Sequence, residues 1–158
     1  MNSSQDYISK LCDVGGEVYV VGGANRNYLT NCIHNKNIPI KDFDFLVRNL
    51  EATVIIEVLK KIGSVKEVGR AFGIILFTIE TVNGTKDSIE FALPRTEVST
   101  GSGYRDFIIT PDPYLELKDD FSRRDATINA IGFRVYSIDD LLLFDHTHNP
   151  NPHFLYTI

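Results

Sequence analysis

Residues 73–93, GIILFTIETVNGTKDSIEFAL, constrain the fold more than any other stretch. Two runs rich in β-branched and aromatic residues flank Asn83-Gly84, a dipeptide suited to the positive φ angles of a tight reversal. They predict a hairpin, so the chain must build around antiparallel strands. EVYVV at 17–21 and FDFLV at 43–47 have the same strand character, and FRVYSI at 133–138 is expected to be the last strand. In EATVIIEVLKKIG, 51–63, apolar residues recur at helical spacing and Gly63 stands where a helix would close.

Shorter helices are expected over 4–12, with Ser3 as cap, Asp6 three residues on and Gly15-Gly16 as the stop. Two more are expected over 24–33, weakened by its Asn residues, and over SRRDATINAIG at 122–132. IPIKD at 38–42 reads as a connection, and PRTEVSTGSGYRDFIITPDP at 94–113, with Gly and Pro throughout, as loop. There is no repeat, no low-complexity linker and no second core. The order of elements predicts one α+β domain over 1–158, with a mixed, mostly antiparallel sheet and helices packed on one face.

Composition narrows the setting. With 43% hydrophobic and 23% charged residues, the chain has an ordinary globular mix. No apolar run is long enough to span a bilayer, and the polar start MNSSQDYISKLC carries no signal-peptide pattern, so no membrane partner and a cytoplasmic location are expected. Cys12 and Cys32 lack CxxC spacing and are expected to be reduced thiols without a chemical role. A net charge of -5 argues against a large nucleic-acid surface, which needs Lys and Arg to neutralise phosphates, but leaves room for a small basic pocket.

Two stretches carry the chemistry. In KDFDFLV, successive strand side chains point to opposite faces, so Asp42 and Asp44 would share one face and Phe43 and Phe45 would enter the core. Paired carboxylates repel unless a cation lies between them. Mg²⁺ suits them, since it takes oxygens from one or two carboxylates plus phosphates and water. Alternation on any half-exposed strand also gives polar residues at every second position, so DxD alone does not define a metal site. In VVGGANRN, a strand runs through Gly22-Gly23 into a helix, which leaves backbone N–H groups free for an anion, with Arg26 about one turn away. A phosphate cradle followed by a carboxylate pair on the next strand describes a site for a metal–triphosphate. In SRRDATINA, Asp125 and Asn129 would lie on one helix face beside Arg124, facing phosphate and ribose. Asp125 could also close a capping box with Ser122, and Arg123 and Arg124 could pair with Asp119 and Asp120 on a solvated face.

EVYVVGGANRNYL with KDFDFLV, EVGRAFGIILF, IEFALPRTEVSTGSGYRDF and LKDDFSRRDATINAIGF together resemble the head domain of class II tRNA nucleotidyltransferases. These are the CCA-adding enzymes and bacterial poly(A) polymerases of the DNA polymerase beta superfamily. The likeness runs in order from about residue 17 to 134. It implies a nucleotidyltransferase fold and attack of an RNA 3′-hydroxyl, that of a tRNA, on the α-phosphate of ATP or CTP. Pyrophosphate would leave, and Mg²⁺ would be the cofactor. Asp42 and Asp44 match the family's metal-binding aspartates, and Glu90 its third acidic residue, which helps activate the hydroxyl. Gly23 and Arg26 match triphosphate contacts, with Gly22 beside them. Arg124 matches a nucleotide-contacting arginine, and Asp125 and Asn129 match positions near the ribose. Arg70 falls where the family also has a basic residue.

Departures accompany the likeness. The family's VGGxVRD stands here as VGGANRN, and Asn27 keeps an acceptor but loses the aspartate's charge. Only the head is matched. The helical neck, which reads the base, and the body and tail, which grip tRNA, have no counterpart in DDLLLFDHTHNPNPHFLYTI, and its three histidines, His146, His148 and His153, form no ligand pattern. The chain is therefore expected to be an active nucleotidyltransferase, alone or completed by a second chain, a Mg-NTP-binding module without catalysis, or a fragment of a longer enzyme. The retained carboxylates favour the first over the second.

Overall fold

The computed structural model describes residues 6–68, 73–80, 84–101, 107–124, 126, 129–144 and 155–157. In chain order these form α1 (Tyr7–Asp13), β1 (Glu17–Val21), α2 (Gly23–His34), β2 (Asp44–Arg48), α3 (Ala52–Lys60), β3 (Ser64–Val68), β4 (Ile74–Glu80) and β5 (Lys86–Ala92). They continue with β6 (Arg95–Ser99), β7 (Phe107–Pro111), α4 (Leu117–Ser122), β8 (Ile131–Val135), a 3-10 helix (Ile138–Phe144) and β9 (Leu155–Thr157). Seven strands form one sheet in the order β3-β4-β5-β2-β1-β8-β9, and β6 pairs with β7 alone. Among the described residues of the large sheet, only β2 and β5 run parallel. The expected α+β fold with a mixed, mostly antiparallel sheet is what the chain adopts.

Alternation along the central strands assigns the two faces. Val18, Val20, Phe45, Val47 and Phe91 point into the main core, which α1, α2 and α3 cover with Ile8, Leu11, Tyr28, Ile55 and Leu59. Each such aliphatic or aromatic side chain contributes about 1.5–3 kcal/mol when fully buried. Tyr19, Val21 and Leu46 point the other way, onto Leu117 and Phe121 of α4. Helices thus lie on both faces, three on the expected one and α4 on the other. A Cβ at Gly132 would stand 2.9 Å from Phe121 Cζ, so glycine in β8 is what lets α4 sit this close to the sheet.

Several expectations need correcting. The cap of α1 is Asp6, whose side chain accepts from Ser9 N–H at 2.9 Å; Ser3 lies outside the described residues. α3 ends at Lys60 with Lys61 as its C-cap, and Gly63 closes the last turn only through its N–H, which donates to Leu59 O at 3.0 Å. A Cβ at Gly63 would stand 2.5 Å from Phe77 Cε2 and 2.6 Å from Thr78 O, so this glycine answers to close packing. The hairpin closes at Glu80↔Lys86, with Gly84 at φ 75°, while Asn83 lies outside the described residues. Residues 94–113 are not loop throughout: Arg95–Ser99 and Phe107–Pro111 pair as β6 and β7. β3 has no counterpart among the expected elements, and β9 adds a strand after FRVYSI. Of the helix expected over 122–132, residues 125, 127 and 128 lie outside the described residues, and 131–132 belong to β8. α4 ends at Ser122 with Arg123 as its C-cap, and beyond it a turn bond runs from Asn129 N–H to Ala126 O at 2.9 Å. The apolar residues that anchor a helix here, Leu117 and Phe121, precede the SRRD stretch.

Candidate active site

Three chain segments meet at the edge where β1 ends. Val21 is the last residue of β1 and pairs with Asp44, the first of β2; Asp44 also pairs with Glu90 of the parallel strand β5. Side chains paired in this way share a face, so Asp44 and Glu90 project together on the α4 side of the sheet, and both are exposed. Asp42 precedes the strand. The ladder stops at Asp44 because β1 turns away at Gly22, so residues 42–43 have no partner there. Phe45 is buried and Phe43 packs against the main core, as alternation predicted.

Gly22 makes the turn, with φ 76° and ψ -139°, which side chains rarely adopt. It is also the N-cap of α2, and no side chain caps the helix there. A Cβ on Gly22 would lie 3.3 Å from Asp44 Oδ2, and one on Gly23 3.4 Å from Arg26 Nη2. Both glycines thus keep the backbone open between a carboxylate and a guanidinium. Asn25 Nδ2 fixes the turn by donating to Val20 O at 2.8 Å and Ile131 O at 2.7 Å, which ties α2 to β1 and β8. Gly22→Ala is expected to cost about 1–3 kcal/mol of stability through backbone strain. Chemical denaturation checks this, and an unchanged midpoint would show that the turn relaxes.

Arg26 donates through Nε and Nη2 to Asn27 Oδ1, each at 3.3 Å, and through Nη1 to Asn129 Oδ1 at 3.3 Å. These acceptors are neutral, so the guanidinium keeps its charge for an anion. Asn27 Nδ2 donates to Pro39 O at 3.4 Å, and Asn31 exchanges two 2.8 Å bonds with the Ile38 backbone. Together they fasten the segment that leads to Asp42 and Asp44 against α2. Arg124 donates from Nη1 to Asn129 O at 3.4 Å and from Nη2 to Asp120 Oδ2 at 3.2 Å, and lies over the Phe121 ring at 4.8 Å. Asn129 therefore joins the two arginines, one through its side chain and one through its backbone. Asp125 and Arg70 lie outside the described residues, as do the three histidines of the tail.

The Asp44 carboxyl is held above the ordinary carboxylate range. The protein that displaces its water is the first cause, the charge of Asp42 the second, and Arg124 opposes both. So Asp42 and Arg124 each lie within electrostatic reach of Asp44. Among the described residues, no three Asp, Glu, His or Cys side chains form a group that could hold a metal by themselves. Two adjacent carboxylates that repel, beside a helix N-terminus and two guanidiniums, still fit Mg²⁺ arriving with phosphates, because the phosphates supply the remaining oxygens.

Sequence reasoning missed the depth of Asp120. It was expected on a solvated face, yet it is wholly buried and binds Arg123 and Arg124 together. Its spacing three and four residues before two arginines is a helix-pair signal, but only the packing of Phe121 turns that face inward. A separate cavity of about 230 Å³, lined by residues including Glu51, Ile74, Leu93 and Pro111, opens beyond the other end of β2 and shares no residue with this site.

The family profile of the poly A polymerase head domain matches residues 18–148. The multifunctional CCA protein of Mannheimia succiniciproducens is 40% identical over 115 residues, 73% of this chain and 23% of that protein. That of Xylella fastidiosa strain M12 is 40% identical over 113 residues, 72% of this chain and 23% of that protein. The chain thus spans under a quarter of the length of these curated relatives. Among solved structures, a CCA-adding enzyme in its apo form II superposes with a TM-score of 0.55 at 24% identity, over 81% of this chain and 27% of that one, a likeness of fold. A complex of CCA-adding enzyme with CTP gives a TM-score of 0.52 at 25% identity, over 81% of this chain and 25% of that one. A complex with ATP gives 0.50 at 26%, over 82% and 25%. A profile match across most of the chain, and relatives at this identity, agree with the strand order and the glycine turn: the chain belongs to the poly A polymerase head domain family, that of the class II tRNA nucleotidyltransferases and poly(A) polymerases.

Proposed function

We propose that the chain transfers a nucleoside monophosphate from an NTP, CTP or ATP, to the 3′-hydroxyl of an RNA, with tRNA as the acceptor. The observation that carries this reading is the register at Asp44. One neighbouring strand sets it beside the Gly22-Gly23 turn and the other beside Glu90, so one carboxylate lies between a place for the triphosphate and a place for the acceptor. The relatives named as CCA proteins, and the neighbours solved with CTP and with ATP, support the same chemistry.

In the proposed reaction the RNA 3′-oxygen bonds to the α-phosphorus as the bond to the bridging α,β-oxygen breaks, and pyrophosphate leaves. The free N–H groups at the start of α2, with Arg26, hold the triphosphate. Arg124 adds a second cation, and Asn129 and, by the family likeness alone, Asp125 are assigned to the ribose. Glu90 acts on the attacking hydroxyl and draws its proton. Asp42 and Asp44 would hold Mg²⁺, which supplies charge neutralisation and a lower hydroxyl pKa when bound.

These contacts reach only phosphate, ribose and metal, which all four NTPs share. Base choice and tRNA grip are therefore assigned to elements outside them, a further segment or a second chain beside this single head-type domain. No helix among the described residues is long and apolar enough to cross a membrane, and we place the activity in the cytoplasm, where tRNA and NTPs meet.

The test incubates the 158-residue chain with Mg²⁺, each of the four NTPs and a labelled RNA ending in a free 3′-hydroxyl. Extension with little preference among the bases is expected, and none on the same RNA with a 3′-deoxy end. Intact NTP binding without extension would reduce the chain to a binding module. A strong preference for one base, of the 10⁴–10⁵-fold order that paired polar edges reach at about their best, would place base-reading groups within these residues.

A further inference from the structure

At the end of α4, Asp120 has no exposure to solvent and divides its two oxygens between different elements. Oδ1 accepts from Arg95 N–H at 3.0 Å, Arg123 Nε at 3.1 Å and Arg123 Nη2 at 2.6 Å. Oδ2 accepts from Arg124 Nη2 at 3.2 Å. Arg123 continues to Arg95 O and to Glu97 Oε1, both at 3.0 Å, and Arg95 Nε reaches the same Glu97 oxygen at 3.0 Å. One side of the Asp120 carboxylate thus anchors to the β6–β7 hairpin and the other to the arginine nearest Asp44.

A buried carboxylate is costly unless its partners compensate it, and here each oxygen is engaged by charged donors. Arg124 is the cation that lies within electrostatic reach of Asp44. It is also held on three sides: by the Phe121 ring, by Asn129 O and by Asp120 Oδ2. Oδ1 ties the hairpin to α4, and among the described residues Oδ2 accepts from Arg124 only.

We propose that Asp120 is a positioning residue for nucleotide binding, which aims Arg124 at the triphosphate and braces it against the β6–β7 hairpin. This rests on the reading of Arg124 as a nucleotide contact.

The test is a double-mutant cycle on the full chain, with the dissociation constant of ATP in Mg²⁺ read by calorimetry and the fold checked by circular dichroism. Arg124→Ala is expected to weaken ATP by about tenfold or more, the scale of one hydrogen bond between charged groups. Asp120→Asn should weaken it by about tenfold in the wild-type background and less than about twofold when Arg124 is already Ala, because coupled residues are not additive. Glu97→Gln, which disturbs the same network away from Arg124, should lower the melting temperature while leaving ATP affinity within about twofold. An equal effect of Asp120→Asn in both backgrounds, or none in either, would overturn the proposal and leave the nucleotide reading standing. An unchanged affinity in Arg124→Ala would overturn both. Arg124→Lys covers the case in which Asp120→Asn does not fold. Lysine keeps the charge but cannot fork between Asp120 and Asn129, so most of the affinity should be lost, whereas wild-type affinity would show that aiming does not matter.

Discussion

Glu90→Gln is expected to slow nucleotide transfer by about 10²–10⁴-fold, the usual worth of a group acting on the proton of a nucleophile, while Mg²⁺-NTP affinity changes by less than about threefold. Glu90 is the register partner of Asp44 on β5, on the flank away from the Gly22-Gly23 turn. Of the triphosphate contacts of the proposed site, Gly22, Gly23 and Arg26 lie on the other flank, and Arg124 follows the C-cap of α4. Glutamine keeps the size and the strand geometry and removes only the charge. An interaction made only in the transition state lowers the rate without weakening the ground state. The check is single-turnover extension of RNA beside equilibrium NTP binding. Equal losses in rate and affinity would make Glu90 a nucleotide contact, and unchanged turnover would assign it to structure.

The pair Asp42→Asn with Asp44→Asn should abolish both turnover and the dependence of NTP binding on Mg²⁺. A ligand held only by the folded state, at a hundredfold excess over its dissociation constant, adds about 2.7 kcal/mol of stability. For a chain of this size that is a rise of about 5–10 °C in melting temperature. The double variant should lose this rise. It should also melt higher than wild type without ligand. In the folded chain Asp44 titrates above its ordinary range, first through loss of water and then through Asp42. Its ionisation therefore opposes folding at neutral pH, and that penalty is relieved as pH falls through the folded value. Asparagine removes the penalty at every pH, so the gain should be present near neutrality and fade in acid. Lower stability of the ligand-free double variant at neutral pH would mean that the carboxylates hold the fold together.

Much of this was legible in the sequence because it is local. β1, α2 and β2 stand within one residue of their expected ends, and the Gly22 turn follows from two glycines between a strand and a helix. The Phe43/Phe45 alternation correctly assigned the core side of β2. What sequence could not show is pairing across distance. That Glu90 lies beside Asp44 depends on β2 and β5 being the sheet's parallel pair, a property of topology. β6 and β7 were hidden because their ribbon is solvated: Val98 and Ile108 are cross-strand partners, yet both are exposed, so no buried face marks the alternation. β3, SVKEV, was hidden by its charges in the same way. The SRRD stretch misled because its polar residues have helical spacing while the residues that hold α4 in place, Leu117 and Phe121, come before it.

Titration of ATP, CTP and tripolyphosphate into the wild-type chain, with Mg²⁺ and again with a chelator, tests the site most directly. If Asp42 and Asp44 hold the metal while the start of α2, Arg26 and Arg124 hold phosphates, all three ligands should bind saturably and competitively in Mg²⁺, with affinities within about tenfold of one another, and each should weaken sharply in chelator. Binding that ignores Mg²⁺, or nucleotide binding that tripolyphosphate does not displace, would contradict a metal–triphosphate site at this edge of the sheet.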